Sequence, residues 1–216
     1  MSRTRVKICC IGSVEEAQLA IRYGASAIGL VSDMPSGPGP IPEELIAGIA
    51  RNVPPGVDTF LLTCKQTAEE IIDQQRRTKV TTIQLVDQFP IEEYAVLKSQ
   101  LPGIRIVQVV HVRDIQSIEH ASAIAPHVDA ILLDSGNPSL TVKELGGTGR
   151  VHDWSISKKI RDAVTVPIFL AGGLRPENVR DAIQAVHPFA VDVCSGVRTD
   201  NKLDEEKLAR FFEALL

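Results

Sequence analysis

The sequence lacks the features that mark membrane proteins, nucleic-acid-binding proteins and disulfide-stabilised proteins. No apolar run approaches the roughly 20 residues that a membrane-spanning helix needs, and no apolar signal-peptide region precedes the first strand-like segment. Lys and Arg total 23 against 27 Asp and Glu, and this net charge of −4 offers no basic surface to a nucleic acid. Four cysteines in 216 residues do not make a disulfide framework. We therefore expect a cytoplasmic protein with reduced thiols and with neither a membrane nor a nucleic-acid partner.

What the sequence does contain is a regular alternation of short β-branched segments with helical patterns. The predicted strands span residues 5–11, 27–31, 57–63, 80–86, 104–110, 128–134, 166–171 and 189–195. They are continuously apolar, as is typical of a parallel sheet covered on both faces. Eight such units in 216 residues predict a (β/α)₈ TIM barrel, an α/β fold, as one domain over residues 1–216. A doubly wound open sheet uses the same units and is the alternative, which the count of eight disfavours.

In a barrel of this kind the functional residues lie at the carboxyl ends of the strands. Glycines and a serine follow the seventh and eighth predicted strands, at Gly172, Gly173, Ser195 and Gly196, and Gly147 follows the sixth. Small residues allow backbone N–H groups to approach an anion, so these loops predict a phosphate site. The alternative is a set of tight turns without a ligand.

Two other strand-end residues are candidates for proton transfer. Asp134 ends an apolar strand, where burial would raise its pKa and suit it to acid catalysis, although it could also simply cap a turn. Cys9 and Cys10 are adjacent in a predicted strand, so we expect their side chains on opposite faces, with Lys7 on the face of Cys9. The alternative role for both thiols is that of small buried hydrophobic residues.

A zinc site is a further alternative at these strand ends. Three cysteines and a histidine fall there, namely Cys9, Cys64, Cys194 and His111. No paired Cys-x-x-Cys spacing supports metal binding, so we predict no metal.

Several segments together resemble the phosphoribosylanthranilate isomerase family of tryptophan biosynthesis. They read VKIC (6–9), GASAIGLV (24–31), ILLDS (131–135), GGTGRVHDW (146–154), LAGGLRPENVRDAI (170–183) and PFAVDVCSGV (188–197). The resemblance implies a TIM barrel without a cofactor that converts a phosphorylated aminoaldose to an aminoketose. It also implies that Cys9 is the general base at C2, that Asp134 is the general acid at the ring oxygen, and that the glycine-rich loops hold the phosphate.

The sequence departs from the family pattern on the side expected to meet the anthranilate ring. The family usually has an arginine after the second strand that meets the anthranilate carboxylate, whereas no Lys or Arg occurs here between Arg22 and Arg51. A buried carboxylate without a cation is costly, so another group would have to replace the arginine. The cations available on neighbouring loops are Lys65, Arg113, Lys143 and Arg150. The residues taken as candidate substrate contacts are Lys7, His111 and Arg150.

Three functional hypotheses follow from the sequence. The first is a phosphoribosylanthranilate isomerase acting on a small phosphorylated sugar, as a monomer or homodimer. The second is a related isomerase, or another enzyme of phosphorylated metabolites, with a different sugar or nitrogen substituent. The third is a non-catalytic barrel that binds a phosphorylated ligand.

Overall fold

The strands of the protein close into a single parallel barrel. The computed structural model describes residues 4–137, 139–140, 142–146 and 149–216. The barrel contains β1 (Arg5–Ile8), β2 (Ala27–Val31), β3 (Asp58–Thr63), β4 (Thr82–Leu85), β5 (Arg105–His111), β6 (Ala130–Asp134), β7 (Ile168–Leu170) and β8 (Ala190–Val193). Each strand pairs with its neighbours in chain order, and β8 pairs with β1. The predicted (β/α)₈ barrel is confirmed, and the open doubly wound sheet is excluded by this closure.

A helix follows each strand. The helices are α1 (Val14–Tyr23), α2 (Glu43–Arg51), α3 (Ala68–Thr78), α4 (Ile91–Gln100), α5 (Gln116–Ile124), α6 (Trp154–Ala163), α7 (Val179–Val186) and α8 (Glu205–Glu213). A short hairpin of β9 (Arg198–Thr199) and β10 (Lys202–Leu203) lies between β8 and α8. Side chains of Ser13 and Thr67 accept hydrogen bonds at the starts of α1 and α3, as N-cap residues do. Within the described residues, no helix has the length and apolar character needed to cross a membrane.

The core consists of two layers, as the continuously apolar strands predict. The larger layer lies between the barrel and its helices and contains Ile8, Ile28 and Leu61 among many aliphatic residues. The smaller layer fills the inside of the barrel and contains Cys9, Cys10 and Phe60. Because each strand is buried on both faces, a polar side chain inside the barrel needs a hydrogen-bond or ion-pair partner there.

The boundary of the first strand differs from the prediction, and the difference matters for the site. The sequence predicts a strand over residues 5–11, whereas β1 ends at Ile8. Cys10 has a φ of 61°, in the left-handed region that non-glycine residues rarely occupy, so the chain turns there instead of continuing the pleat. The expectation that Cys9 and Cys10 point to opposite faces is therefore wrong, and both thiols pack in the interior layer.

Candidate active site

A pocket opens at the carboxyl end of the barrel and brings together five of the ten predicted site residues. Its wall includes Cys9, Asp134, Gly172, Gly173 and Ser195. These residues follow β1, β6, β7 and β8, which are consecutive around the closed barrel. The two glycine-rich loops therefore lie on the arc of the rim between the thiol and the carboxyl group.

Cys9 is held in place immediately after β1. Its backbone N–H donates to the Val193 carbonyl at 2.8 Å, which extends the pairing of β1 with β8 by one residue. Gly29 on β2 leaves room for the thiol, since a Cβ there would lie 2.8 Å from Cys9 Sγ. A hydrogen bond with the Cys10 thiol lowers the pKa of Cys9; burial opposes this shift, and the Lys7 ammonium adds to it. The site therefore makes the Cys9 thiol easier to ionise than an ordinary cysteine.

The Cys10 thiol borders the same pocket. Cys194 Sγ donates a hydrogen bond to Cys10 Sγ at 2.8 Å, and all four cysteines of the chain are free. Contacts with Cys194 and Cys9, together with burial, raise the pKa of Cys10. Cys10 therefore remains a neutral thiol while Cys9 is the ionisable one.

A buried ion pair lies inside the barrel, toward the amino end from Cys9. Lys7 Nζ lies 2.9 Å from Asp192 Oδ1, and the two residues are register partners on β1 and β8. Burial by itself would lower the pKa of Lys7, but the Asp192 carboxylate together with Cys9 and Cys10 raises it above its ordinary value, so the ammonium stays charged. Asp192 also lines the pocket and is not among the site residues predicted from the sequence. An acid within the apolar segment FAVDV was the signal that could have identified it.

Asp134 ends β6 and is only 8% exposed. Its Oδ1 accepts a hydrogen bond from the Ser135 N–H at 2.7 Å. Burial raises the pKa of this carboxyl group above its ordinary value of 3.8. A protonated carboxyl group in a pocket wall is a suitable proton donor.

Three of the five predicted phosphate-binding residues line the pocket. Gly172 and Gly173 line the pocket with φ of 84° and 62°, and a Cβ at Gly173 would lie 2.7 Å from the Arg150 carbonyl carbon. Ser195 lines the pocket at the start of a short 3₁₀ turn, residues 195–197. Gly196 faces the loop after β7 instead. A Cβ at position 196 would lie 2.0 Å from the Leu174 oxygen, so glycine there permits the loops after β7 and β8 to pack closely. Gly147 lies outside the described residues.

The three candidate substrate contacts lie away from the pocket lining. Lys7 is completely buried against Asp192. His111 borders a separate depression beside Arg113, and its Nε2 donates to the Val86 carbonyl at 3.1 Å. Arg150 is exposed and forms an ion pair with Glu144. Among the described residues, no group of three or more His, Cys, Asp or Glu side chains is placed to hold a metal ion.

The loop after β2 and the strand ends beside it form a largely apolar part of the pocket wall. Its apolar side chains are those of Val31, Met34, Pro38, Leu62 and Val86, and its polar side chains are those of Ser36 and Gln84. No Lys or Arg is among the described residues of the lining.

Lys143 is a loop cation that contacts a residue of this wall. Its carbonyl accepts a hydrogen bond from the hydroxyl of Ser36, a residue of the lining, and its ammonium pairs with Asp87 at the end of β4. Lys65 pairs with Glu70 at 3.4 Å on the outer surface.

Comparisons with known proteins agree with this geometry. The family model described as N-(5'-phosphoribosyl)anthranilate (PRA) isomerase matches residues 6–214. An isomerase of that name from Methanocella arvoryzae is 37% identical over 209 residues, covering 97% of this chain and 96% of the relative. Isomerase 2 from Methanosarcina mazei is 39% identical, covering 96% of this chain and 92% of the relative.

Solved structures give the same result. The phosphoribosyl anthranilate isomerase of Thermotoga maritima matches with a TM-score of 0.85 and 33% identity over 98% of both chains. A phosphoribosyl anthranilate isomerase in complex with reduced 1-(o-carboxyphenylamino)-1-deoxyribulose 5-phosphate matches with a TM-score of 0.82 and 31% identity over 98% of both chains. By its sequence, its fold and the composition of its pocket, the chain belongs to the phosphoribosylanthranilate isomerase family.

Proposed function

We propose that the protein is a phosphoribosylanthranilate isomerase. It converts N-(5-phosphoribosyl)anthranilate to 1-(2-carboxyphenylamino)-1-deoxyribulose 5-phosphate by an Amadori rearrangement. The observation that carries this proposal is the placement of Cys9 and Asp134 in one pocket wall, on either side of the glycine-rich loops after β7 and β8. An aldose–ketose isomerisation needs such an acid and base around one small substrate.

The reaction begins at the acid. Asp134 donates its proton to the furanose ring oxygen, the C1–O bond breaks, and the nitrogen lone pair forms a C=N bond to C1. The Cys9 thiolate then removes the proton from C2, and the C–H electron pair forms a C1=C2 bond that neutralises the nitrogen. Tautomerisation of this enolamine gives the aminoketose. Oxidation state moves between C1 and C2 of one molecule, so the reaction consumes no external oxidant and needs no cofactor.

The phosphate orients the sugar for both transfers. Gly172, Gly173 and Ser195 form the pocket wall between acid and base, and a phosphate held there places the sugar carbons within reach of both groups. Ser195 offers a hydroxyl group and the glycines offer close backbone approach. We further propose a cytoplasmic enzyme that is a monomer or homodimer; a relative from Thermotoga maritima is described as dimeric.

A second candidate is a related isomerase whose substrate carries another group on nitrogen. It is favoured by the largely apolar wall at the β2 loop, where the described lining offers no cation to a carboxylate. Under the first proposal, a cation from a neighbouring loop has to reach the substrate carboxylate; Lys143 would do so by leaving Asp87. Under the second, an uncharged substituent would contact Met34 and Pro38 directly.

The proposal is tested by following loss of anthranilate fluorescence as N-(5-phosphoribosyl)anthranilate, made in situ, is consumed. We expect wild-type turnover and a loss of about 10²- to 10⁴-fold in Cys9→Ser protein, because a serine hydroxyl is a much weaker base than a thiolate. Cys64→Ser is the matched control, since this half-exposed cysteine lies outside the pocket lining. Folded wild-type protein that binds ribose 5-phosphate without turnover would reject this substrate and favour the second candidate.

A further inference from the structure

The loop that follows β1 is held by an ion pair between buried Arg198 and half-buried Glu16, neither of which lines the pocket. Arg198 Nη2 lies 3.1 Å from Glu16 Oε2, and Arg198 is 8% exposed. The same nitrogen donates to the carbonyl oxygen of Cys9 at 3.2 Å and to that of Cys10 at 2.6 Å. One guanidinium group therefore contacts the backbone of the base and of the residue after it.

Glu16 completes this arrangement from the first turn of α1. Its carboxylate accepts hydrogen bonds from the Gly12 N–H at 2.9 Å and the Leu203 N–H at 2.8 Å. Arg198 Nη1 also donates to the Asn201 carbonyl at 2.9 Å. The beginning and the end of the loop after β1 are thus both tied to the β9–β10 hairpin.

The backbone that the pair holds is unusual. Cys10 has a φ of 61°, a conformation that is unfavourable for a non-glycine residue and persists only where surrounding contacts impose it. The Arg198 contacts to the two flanking carbonyls are such contacts. They fix the turn that places the Cys9 and Cys10 thiols on the same pocket wall.

The position of Arg198 in the chain links this turn to the other end of the substrate. Arg198 directly follows the 3₁₀ turn of residues 195–197, whose first residue lines the pocket. Lys207 Nζ donates to the Arg198 carbonyl at 2.7 Å and anchors the segment on α8. The turn proposed to hold the phosphate and the loop that carries the base are therefore joined through a single side chain.

We propose that Arg198, together with Glu16, is a positioning residue that sets the location of the Cys9 thiol relative to the phosphate-holding turn. This inference rests on the proposed function. An arginine suits the role because its planar fork reaches two carbonyls and a carboxylate at once, whereas a lysine ammonium offers a single point of contact. A misplacement of about 1 Å can cost about 10²-fold in rate.

The test compares Arg198→Lys and Arg198→Met with Arg77→Met, a matched control that breaks an exposed ion pair with Glu43. For both Arg198 variants we expect kcat to fall about 10- to 100-fold with a smaller change in KM, and Arg77→Met to keep wild-type kcat. Thermal unfolding of each variant establishes the folded fraction. If Arg198→Met does not fold, the comparison with wild type is made with Arg198→Lys alone.

A second readout follows the thiol itself and does not depend on turnover. Alkylation of Cys9 by iodoacetamide is measured against pH by mass spectrometry. The charged and titratable groups around this thiol are Lys7, Asp192 and Cys10. In the Arg198 variants we expect the alkylation midpoint to move to higher pH, because the thiol no longer keeps its contacts with Cys10 and Lys7.

The outcomes separate this proposal from the proposed function. Wild-type kcat in both Arg198 variants would overturn the positioning role of Arg198. A fall in kcat that matches the fall in folded fraction, with the alkylation midpoint at the wild-type pH, would also overturn it. Absence of turnover in wild-type protein would reject the proposed function alone, and the alkylation midpoint would still decide the role of Arg198.

Discussion

At the scale of single residues, the pocket shifts two ionisable groups in opposite directions. Hydrogen bonding from Cys10 lowers the pKa of the Cys9 thiol, whereas burial raises the pKa of the Asp134 carboxyl group. Such divergence is what a base and an acid need to work together near neutral pH. The sequence predicts the two residues, but the neighbours that shift them come from β8, the β1 loop and the barrel interior.

The raised pKa of Asp134 predicts a stability cost. Below its ordinary pKa of 3.8 the carboxyl group is neutral in both folded and unfolded chains. As the pH rises, the unfolded chain loses this proton before the folded one does, so the folded state loses relative stability until the raised pKa is passed. We expect Asp134→Asn protein, measured by urea unfolding at neutral pH, to be more stable than wild type but inactive.

The gain from Asp134→Asn should disappear as the pH falls below 3.8, since residue 134 is then neutral in both proteins, folded or unfolded. Asp73→Asn, on an exposed position of α3, is the control and should change the free energy of unfolding by less than about 0.5 kcal/mol. A stability gain that is independent of pH would contradict burial as the cause.

At the scale of secondary-structure elements, helix ends show where local sequence is sufficient. Ser13 begins α1 and Gly24 ends it with a φ of 106°, and these are residue types that helix starts and helix ends favour. Helix α3 also ends at a residue in the left-handed conformation, but that residue is a lysine. Lys79 has a φ of 59°, and its N–H donates to the Gln75 carbonyl at 2.8 Å.

Glycine at position 79 should therefore stabilise the protein. Lys79 is exposed, and its left-handed backbone carries a steric cost that glycine does not have. We expect Lys79→Gly to raise the free energy of unfolding by about 1 kcal/mol in urea titration. Lys98→Gly, within α4, is the matched control and should lower it by about 1 kcal/mol. Equal losses in both variants would show that the conformation of residue 79 carries no strain.

At the scale of the whole molecule, the Lys7–Asp192 pair joins the first strand to the last. The two side chains come from β1 and β8, whose pairing closes the barrel, and both are buried. Removing one partner of a buried ion pair leaves the other charge without compensation. The pair is therefore expected to matter for the stability of the closed barrel as well as for the charge beneath Cys9.

We expect Lys7→Met to lower the free energy of unfolding by about 3–5 kcal/mol, measured by urea titration. The double variant Lys7→Met with Asp192→Asn should lose less than the sum of the two single variants, because neither unpaired charge then remains. Arg105→Met removes an exposed pair with Asp129 and should cost less than about 1 kcal/mol. Strict additivity of the Lys7 and Asp192 variants would show that the two side chains do not interact.

The amino-acid sequence is sufficient to predict the eight strand-and-helix units and the small residues that follow β7 and β8. These features depend on local periodicity, capping and glycine content, which neighbouring residues determine. Tertiary structure alone decided that β1 ends at Ile8 with Cys10 in a left-handed turn, that Lys7 meets Asp192, and that Arg198 reaches the carbonyls behind Cys9. Those contacts join residues more than 180 positions apart in the chain, and strand register and barrel closure bring them together. A local sequence pattern cannot specify these contacts, because the residues come together only once the last strand has paired with the first.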